Sequence, residues 1–259
     1  RGSSMSSPTW TPDALASESK PWHGRGWRLV EAQHRVSTLK LVDDLGEQAL
    51  LEELLEVTKP PLPVECRGLD YLLATPFRYD PPYPTGSRFR RAGRTAGVFY
   101  AAERPETAVA EMAFYRLLFF AESPATPWPD DAAEYTAFAA AIATDRCLDL
   151  TVPSLDRDAE AWSDPVRYEA CQALADQARE AEITLLCYGS VRDPEHGMAL
   201  AVLTCSAFAE PAPIERRTWR MRLSRHGVQA LCEFPVVRLE FGRNAFFSDP
   251  RIADLVWDR

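Results

Sequence analysis

The amino-acid sequence predicts an α+β fold with a mixed, mostly antiparallel split sheet and flanking helices. The chain has 259 residues, of which 46% are hydrophobic and 26% charged, which is enough for the core of a globular protein. Segments typical of strands and of helices follow one another irregularly, without the regular alternation of a parallel α/β sheet. Neither an internal repeat nor a linker divides the sequence, so we expect one core.

The N-terminal part of the sequence predicts an arm, a strand and a helix. Residues 1–26 are rich in Ser, Pro, Gly and basic residues, so we expect a flexible arm, in which 1–4 resemble an expression remnant. An arm that orders only on a partner is the alternative, and its tryptophans indicate that part of it docks. Arg28–Ser37 fits a first strand. A capping-box pair followed by a stripe of leucines predicts an inserted helix at about 43–58.

The remaining elements are predicted by turn residues and by apolar runs. Residues 75–97 are rich in Pro, Gly and Arg, which predicts a long ordered loop. Pro105 fits the first position of a helix that reaches about Phe119, and a second helix starts at Asp164-Pro165 and reaches about Ala181. Strands are predicted at Gly97–Ala102, Ile183–Tyr188, Met198–Thr204 and Phe234–Phe241.

Charge and composition exclude several classes of function. The formal net charge is −9, which disfavours broad contact with nucleic acid or with anionic lipid. No apolar run approaches the roughly 18–20 residues that cross a bilayer. The six cysteines form no C-x-x-C pair, and no secretory signal is evident, so we expect buried, reduced thiols in a cytoplasmic protein.

Common catalytic and cofactor motifs are absent from the sequence. It contains no G-x-G-x-x-G after a strand, no P-loop, no H-E-x-x-H and no G-x-S-x-G. The four histidines do not have the spacing of metal ligands, so we expect no metal site.

An arginine cluster reverses the acidic charge of the chain locally. Between residues 78 and 94 it holds five arginines and one acid, interleaved with aromatic residues. Guanidinium groups bind phosphate oxygens bidentately and aromatic faces stack on planar rings, which suits an anionic nucleotide. A solvated basic loop that faces an acidic partner explains the charge equally well.

Two further segments carry polar residues at unusual places. Glu111 lies among small apolar residues early in the helix that follows Tyr100, where a carboxylate is costly to bury without a positive partner. A structural Glu–Arg pair is an equal alternative. Ser190 and Arg192 follow the strand that ends near Tyr188, although a lone serine there is usually a turn residue.

These segments together resemble the RES domain, a family named for its Arg, Glu and Ser. The resemblance spans about 28–240, and its order and spacing are more specific than any single motif. The longer arrangement is most similar to the ParT toxin subgroup, although Gly189 stands where shorter relatives often have Pro. The segments that carry this similarity are the predicted helix Leu50–Val57, Lys59-Pro60-Pro61 and Thr75-Pro76-Phe77-Arg78-Tyr79. The matching motifs are Gly86-Ser87-Arg88-Phe89, Gly97-Val98-Phe99-Tyr100-Ala101-Ala102, Thr107-Ala108-x-x-Glu111 and Gly189-Ser190-Val191-Arg192.

The resemblance implies a site for NAD+, which is used as a substrate, and no metal. It implies that 27–259 form a single RES-like domain, with a fold similar to the diphtheria-toxin class of ADP-ribosyltransferases. By this resemblance the catalytic residues are Arg88, Glu111 and Ser190. The NAD-binding residues are Arg28, Arg78 and Tyr100. Arg28 fits the family arginine of the first strand, with Arg35 and Arg78 as the alternatives for that role.

The resemblance also implies the toxin of a type II toxin–antitoxin pair. The expected reaction cleaves the nicotinamide–ribose bond and transfers ADP-ribose to a protein, with phosphoribosyl pyrophosphate synthetase as the expected target. The alternatives are an NAD+ phosphorylase or glycohydrolase that depletes NAD, and a non-enzymatic module that binds a nucleotide or a partner. The expected partner is an antitoxin with an Xre-like region that blocks the NAD site, and neither nucleic acid nor membrane is expected as a direct partner.

Overall fold

One 17-residue strand, β3, connects the parts of the fold. The computed structural model describes residues 10–32, 47, 61–78, 86–93 and 95–259. Within these residues the strands are β1 (Lys20–Glu31), β2 (Phe99–Ala102), β3 (Ala133–Asp149), β4 (Leu185–Gly189), β5 (Met198–Val202), β6 (Glu215–Ser224), β7 (Gly227–Cys232) and β8 (Val237–Gly242). The helices are α1 (Pro12–Glu18), α2 (Tyr71–Ala74), α3 (Pro105–Glu122), α4 (Ala159–Trp162), α5 (Glu169–Glu180) and α6 (Pro250–Ala253).

The described sheet closes into a barrel. On one side β3 pairs with β1, and on the other it pairs with β6 along its first half and with β4 at its end. The ring β1-β2-β5-β4-β3 is completed where Trp27 of β1 pairs with Ala102 of β2. Strands β6, β7 and β8 extend from β3 as an antiparallel ribbon, and the β3–β4 pair is parallel. The predicted α+β class is confirmed, but the predicted split sheet is wrong because β3 is long enough to take a different neighbour at each end.

Alternation of side chains along the strands creates three cores. The barrel interior is filled by large buried residues that include Phe99, Phe138 and Leu200. Outside the barrel, α3 covers one core, which β1 and the ribbon complete. Helices α1 and α5 cover another core, which lies against β4 and β5. The surface between these two outer cores is where β2 and β4 end.

The predicted flexible arm is wrong from Trp10 onwards. Trp10 is buried, its indole Nε1 donates to Asp158 at 2.9 Å, and the Arg157 guanidinium stacks on its ring. Leu15 of α1 is fully buried, and strand β1 begins at Lys20, well before the predicted first strand. Two large apolar side chains therefore anchor a segment whose overall composition is typical of a loop. The predicted helix at 43–58 lies outside the described residues, apart from the helical position 47.

The cysteines differ from the prediction of six reduced thiols. Cys66 and Cys205 form a disulfide, with their Cα atoms 5.4 Å apart. They are 139 residues apart in sequence, so only the fold brings them together. The free cysteines among the described residues, at 147, 171, 187 and 232, are buried as predicted. In the described part of the chain, no helix has the length and apolar character of a membrane span.

Candidate active site

Helix α3 and the turn after β4 bring Glu111 and Ser190 together. Strand β2 ends at Ala102 and α3 begins at Pro105, so the second turn of this helix lies above the end of the sheet. Strand β5 lies between β2 and β4, which places the residue after β4 on the same side. The Ser190 hydroxyl donates a 2.5 Å hydrogen bond to Glu111 Oε1. Two residues separated by 79 positions therefore form one polar pair.

The Ser190 hydroxyl makes two further hydrogen bonds. Its oxygen accepts hydrogen bonds from the main-chain N–H groups of Arg192 at 3.2 Å and Asp193 at 3.0 Å. The main-chain N–H of Ser190 donates to the carbonyl oxygen of Gly197 at 2.8 Å. A hydroxyl has one proton, so these contacts leave that proton for Glu111. Ser190 is thus both a turn residue and the group that orients the carboxylate.

A second contact ties this turn to α3. Thr107 Oγ1 donates to Asp193 Oδ2 at 2.7 Å, and the Gly197 N–H donates to the same oxygen at 3.2 Å. A Cβ atom at Gly197 would lie 2.1 Å from Thr107 Oγ1, so only glycine fits. Thr107 and Glu111 are four residues apart and share one face of the helix. The Ser190 turn is therefore fixed at two successive turns of α3.

Glu111 lies in an environment that disfavours its charge. Burial raises the pKa of the Glu111 carboxyl above its ordinary value, although the Ser190 hydrogen bond and the charges of Arg192 and Arg88 act in the opposite direction. The Asp193 carboxylate adds a smaller increase. The hydrogen-bond partner of Glu111 is a serine, and no arginine of the described residues forms the ion pair with it that the sequence leaves open. Within the same residues, the charges of Arg88 and Arg192 act on the carboxylate without a direct ion pair.

Arg88 is buried and is held by carbonyl oxygens. Its Nη1 donates to the carbonyl of Trp162 at 2.6 Å and its Nη2 to the carbonyl of Asp164 at 3.0 Å. The guanidinium lies 4.9 Å from the centre of the Tyr168 ring. Neutral acceptors satisfy its hydrogens without cancelling its charge. Arg88 therefore supplies positive potential to the site.

Tyr100 holds the turn that carries Arg88. Its hydroxyl pairs with Ser87 Oγ at 2.8 Å and accepts the N–H of Phe89 at 2.9 Å. The side chain packs against the outer core that α5 covers. Tyr100, Arg88, Glu111 and Ser190 accordingly belong to one region of the barrel exterior.

The two remaining predicted site residues are placed differently. Arg28 donates to the carbonyl oxygen of Tyr100 at 3.2 Å, but its guanidinium lies over the Phe99 ring, 5.1 Å from the centre. Neighbouring residues of a strand point to opposite faces, so Arg28 shares the barrel-interior face and not the face of the Tyr100 side chain. Arg78 ends a 3₁₀ turn that packs directly on Gly97, ahead of β2.

Helix α5 clamps the arginine-rich loop, which sequence reasoning missed. The clamp consists of Gln172, Asp176 and Arg179, whose spacing of four and three residues places them on one helix face. That spacing of polar residues is a signal present in the sequence. Gln172 donates to the carbonyls of Ser87 and Arg90, Asp176 pairs with Arg91 at 2.7 Å, and Arg179 donates to the carbonyl of Gly97.

Arg192 and Asp249 form a buried ion pair beside the site, which sequence reasoning also missed. Arg192 Nη1 lies 2.5 Å from Asp249 Oδ2, and the two side chains are 4% and 2% exposed. Arg192 is part of the motif that contains Ser190, but nothing in the sequence connects it with a residue 57 positions later. In the described part of the chain, no group of three or more His, Cys, Asp or Glu side chains is arranged to hold a metal ion.

Two of the recesses on the described surface bear on the location of the site. The larger, about 430 Å³, lies beyond the C-terminal end of α3 between Trp128, Arg222 and Trp257. It contains none of the site residues above. The smaller, about 220 Å³, is lined by the Arg192–Asp249 pair and by Asp193, so it adjoins the Ser190 turn. Neither recess is lined by a predicted site residue, but the smaller one lies next to Ser190 through Val191 and Arg192.

Comparison with known proteins identifies a family. The family model described as RES domain matches residues 62–224, which is more than half of the chain. No curated protein matches the sequence. Among solved structures, the chain is similar to one in "Crystal structure of the M.tuberculosis MbcT-MbcA toxin-antitoxin complex", with 14% identity and a TM-score of 0.43 over 78% of this chain and 90% of that chain. All predicted site residues except Arg28 lie within the matched region.

Proposed function

Because the chain belongs to the RES domain family, we propose that it is a toxin-type enzyme that cleaves the nicotinamide–ribose bond of NAD+. We propose further that it transfers the ADP-ribose to a protein, as the similarity to the ParT subgroup suggests. One observation carries the proposal: the Glu111 carboxylate is fixed by Ser190 at 2.5 Å in a buried site that two arginines face.

The reaction needs a carboxylate at this place. Loss of nicotinamide leaves an oxocarbenium-like ribose, and the leaving group departs as a neutral base that needs no general acid. A fixed negative charge beside the developing positive centre lowers the barrier. Ser190 holds Oε1 of Glu111, while Oε2 receives no hydrogen bond from the described residues. Glu111 Oε2 is the atom that we assign to the ribose.

The arginines supply the complementary charge for the pyrophosphate. Arg88 carries a positive charge that no carboxylate cancels within the described residues, which suits attraction of an anionic dinucleotide. Tyr100 positions the Arg88 turn and presents its ring toward the same region, where it can stack on nicotinamide. We retain Arg28 and Arg78 as candidate NAD contacts, with Arg28 acting at the edge of β2.

The biological setting follows from the same proposal. The chain would act in the cytoplasm, with phosphoribosyl pyrophosphate synthetase as protein target. A cognate antitoxin with an Xre-like region would block the NAD site. An acidic or carboxylate-bearing segment of that antitoxin would complement the buried charge of Arg88.

The test uses NAD+ labelled in its adenylate half, with the purified chain and a cell lysate, with and without added phosphate. Transfer to protein predicts label on a discrete protein band. A small-molecule product that forms faster with phosphate would instead show phosphorolysis, and one that is independent of phosphate would show hydrolysis.

Two variants make the result specific. Glu111→Gln should lower NAD+ consumption about 10²- to 10³-fold, while Glu122→Gln, at the exposed end of the same helix, should retain it. If the unmodified chain consumes no NAD+ under any of these conditions, the enzyme proposal fails. The arginine-rich loop would then serve as a binding surface.

A further inference from the structure

Asp249 lies outside the matched family region yet reaches the candidate active site. Its carboxylate accepts two hydrogen bonds from the guanidinium of Arg251, at 3.0 and 2.9 Å, and pairs with Arg192 at 2.5 Å. Asp249 is 1% exposed, so a buried carboxylate balances the charge of the buried Arg192 and of the partly exposed Arg251. The segment that starts α6 is thereby attached to the turn after β4.

Arg192 contacts both the turn that contains Ser190 and the segment that holds Arg88. Its main-chain N–H donates to Ser190 Oγ at 3.2 Å. Its guanidinium donates to the carbonyl oxygen of Pro165 and to the Tyr168 hydroxyl at 3.1 Å. The Tyr168 ring lies against the Arg88 guanidinium, with its centre 4.9 Å from Cζ. One ion pair therefore fixes the turn of Ser190 and the segment that holds Arg88.

The same guanidinium also lies against the helix of Glu111. Arg192 stacks on the Phe114 ring at 4.2 Å, and Phe114 is three residues after Glu111 in α3. The buried Nη1 of Arg192 makes no hydrogen bond among the described residues, so its contact with Asp249 is an ion pair that balances the charge of the guanidinium. Without Asp249, Arg192 would retain neutral acceptors only, and its position would no longer be set by charge.

We propose that Asp249 and Arg192 are positioning residues for the reaction at Glu111, so that a segment beyond the matched family region completes the active site. The Asp249 carboxylate anchors the Arg192 guanidinium beside Glu111, and the anchored residue holds Ser190 in the orientation that fixes the carboxylate. The catalytic meaning of this role rests on the proposed function, but the anchoring of Arg192 does not.

The kinetic test compares Asp249→Asn with the conservative variant Asp249→Glu. A positioning role predicts that Asp249→Asn lowers kcat for NAD+ consumption roughly tenfold or more while KM changes little, because geometry at the reacting centre is lost. Asp249→Glu should recover part of the kcat. Leu223→Ala, in the remote ribbon, provides a matched loss of stability and should retain its kcat. An unchanged kcat in folded Asp249→Asn would overturn the proposal.

A second test needs no activity. The pKa of Glu111 is measured by ¹³C NMR on chain labelled at the glutamate carboxyl carbon, with the signal assigned by its loss in Glu111→Gln. In Asp249→Asn the positioning role predicts a higher pKa, because Arg192 leaves its place beside the carboxylate. Among the described residues, the charged and titratable groups facing Glu111 are Arg88, Arg192, Asp193, Tyr115 and Tyr188, with the Ser190 hydroxyl.

The sign of the change decides between the explanations. If Arg192 stays in place without Asp249, only a negative charge has been removed, so the pKa of Glu111 falls. A fall, or no change, would overturn the proposal even if the variant remains folded. If the unmodified chain consumes no NAD+, the proposed function fails, and the NMR titration still decides whether Asp249 positions Arg192.

Discussion

Replacement of Glu111 by glutamine should separate the effect of its negative charge on stability from the effect of that charge on NAD+ turnover. Glutamine has almost the same shape, and its Oε1 can still accept the hydrogen bond that Ser190 donates at 2.5 Å. The local fold should therefore persist while the negative charge is lost. Removing one electrostatic contact to the transition state typically costs about 2.7–4 kcal/mol, so we expect turnover of NAD+ to fall about 10²- to 10³-fold.

The same substitution should make the protein more stable at neutral pH. Burial raises the pKa of Glu111 in the folded state, so the folded protein binds this proton more tightly than the unfolded chain does. Stability is then highest below the unfolded pKa and is lost as pH rises through the folded pKa. Each pKa unit of the increase costs about 1.4 kcal/mol once the carboxyl is ionised. Glutamine cannot ionise, so it avoids this cost.

Thermal unfolding at a series of pH values provides the assay. The melting temperatures of the parent chain and of Glu111→Gln should converge at acidic pH and diverge as pH rises through the pKa of Glu111, with the variant higher. Glu122→Gln, whose side chain is exposed, should follow the parent chain throughout. A variant that is no more stable at neutral pH, or one that retains turnover, would refute the reasoning.

Three further substitutions test the surroundings. Ser190→Ala removes the hydrogen bond that lowers the pKa of Glu111, so the acidic limb of kcat against pH should move to higher pH and kcat should fall roughly 10- to 100-fold; a limb that stays in place would contradict this role. Gly197→Ala places a methyl 2.1 Å from a side-chain oxygen and should lower both the melting temperature and activity, whereas Gly189→Ala, with no atom within 4 Å of the added carbon, should change neither. Trp10→Ala should lower the free energy of unfolding by about 3–5 kcal/mol in urea titrations, and a loss well below that would mean that the anchor contributes little.

Sequence alone predicts the elements whose signals are local. Pro105 correctly marks the start of the long helix, and the predicted strand Met198–Thr204 overlaps β5. The strand β3 is not predicted, because its alanine-rich centre has weak strand propensity and pairing with β1 and β6 outweighs it. The closed barrel depends on that strand, which is why the predicted sheet is split instead of closed.

The candidate site shows the same division between local and long-range signals. The residue types at Glu111 and Ser190 identify a family pattern, but their direct contact requires β2, β5 and β4 to be neighbours. Asp249 could not be connected with Arg192 from sequence, because the pair forms only when the C-terminal segment folds back. Glu111 and Ser190 are thus recognisable from the family pattern, whereas the pairing of Asp249 with Arg192 is recognisable only from the folded structure.

The two buried arginines of the site differ in how their charge is balanced, and this difference assigns their roles. Arg192 has a carboxylate at 2.5 Å, which largely neutralises its charge inside the protein. We therefore expect Arg192 to position its neighbours and not to attract the substrate. Arg88 is held by the carbonyl oxygens of Trp162 and Asp164, which satisfy its hydrogens and leave its charge to act on the site. An anionic substrate would therefore be drawn to Arg88 and not to Arg192. Arg88→Gln should accordingly raise KM for NAD+ because the positive charge is lost, and a KM equal to that of the parent chain would exclude Arg88 from substrate binding.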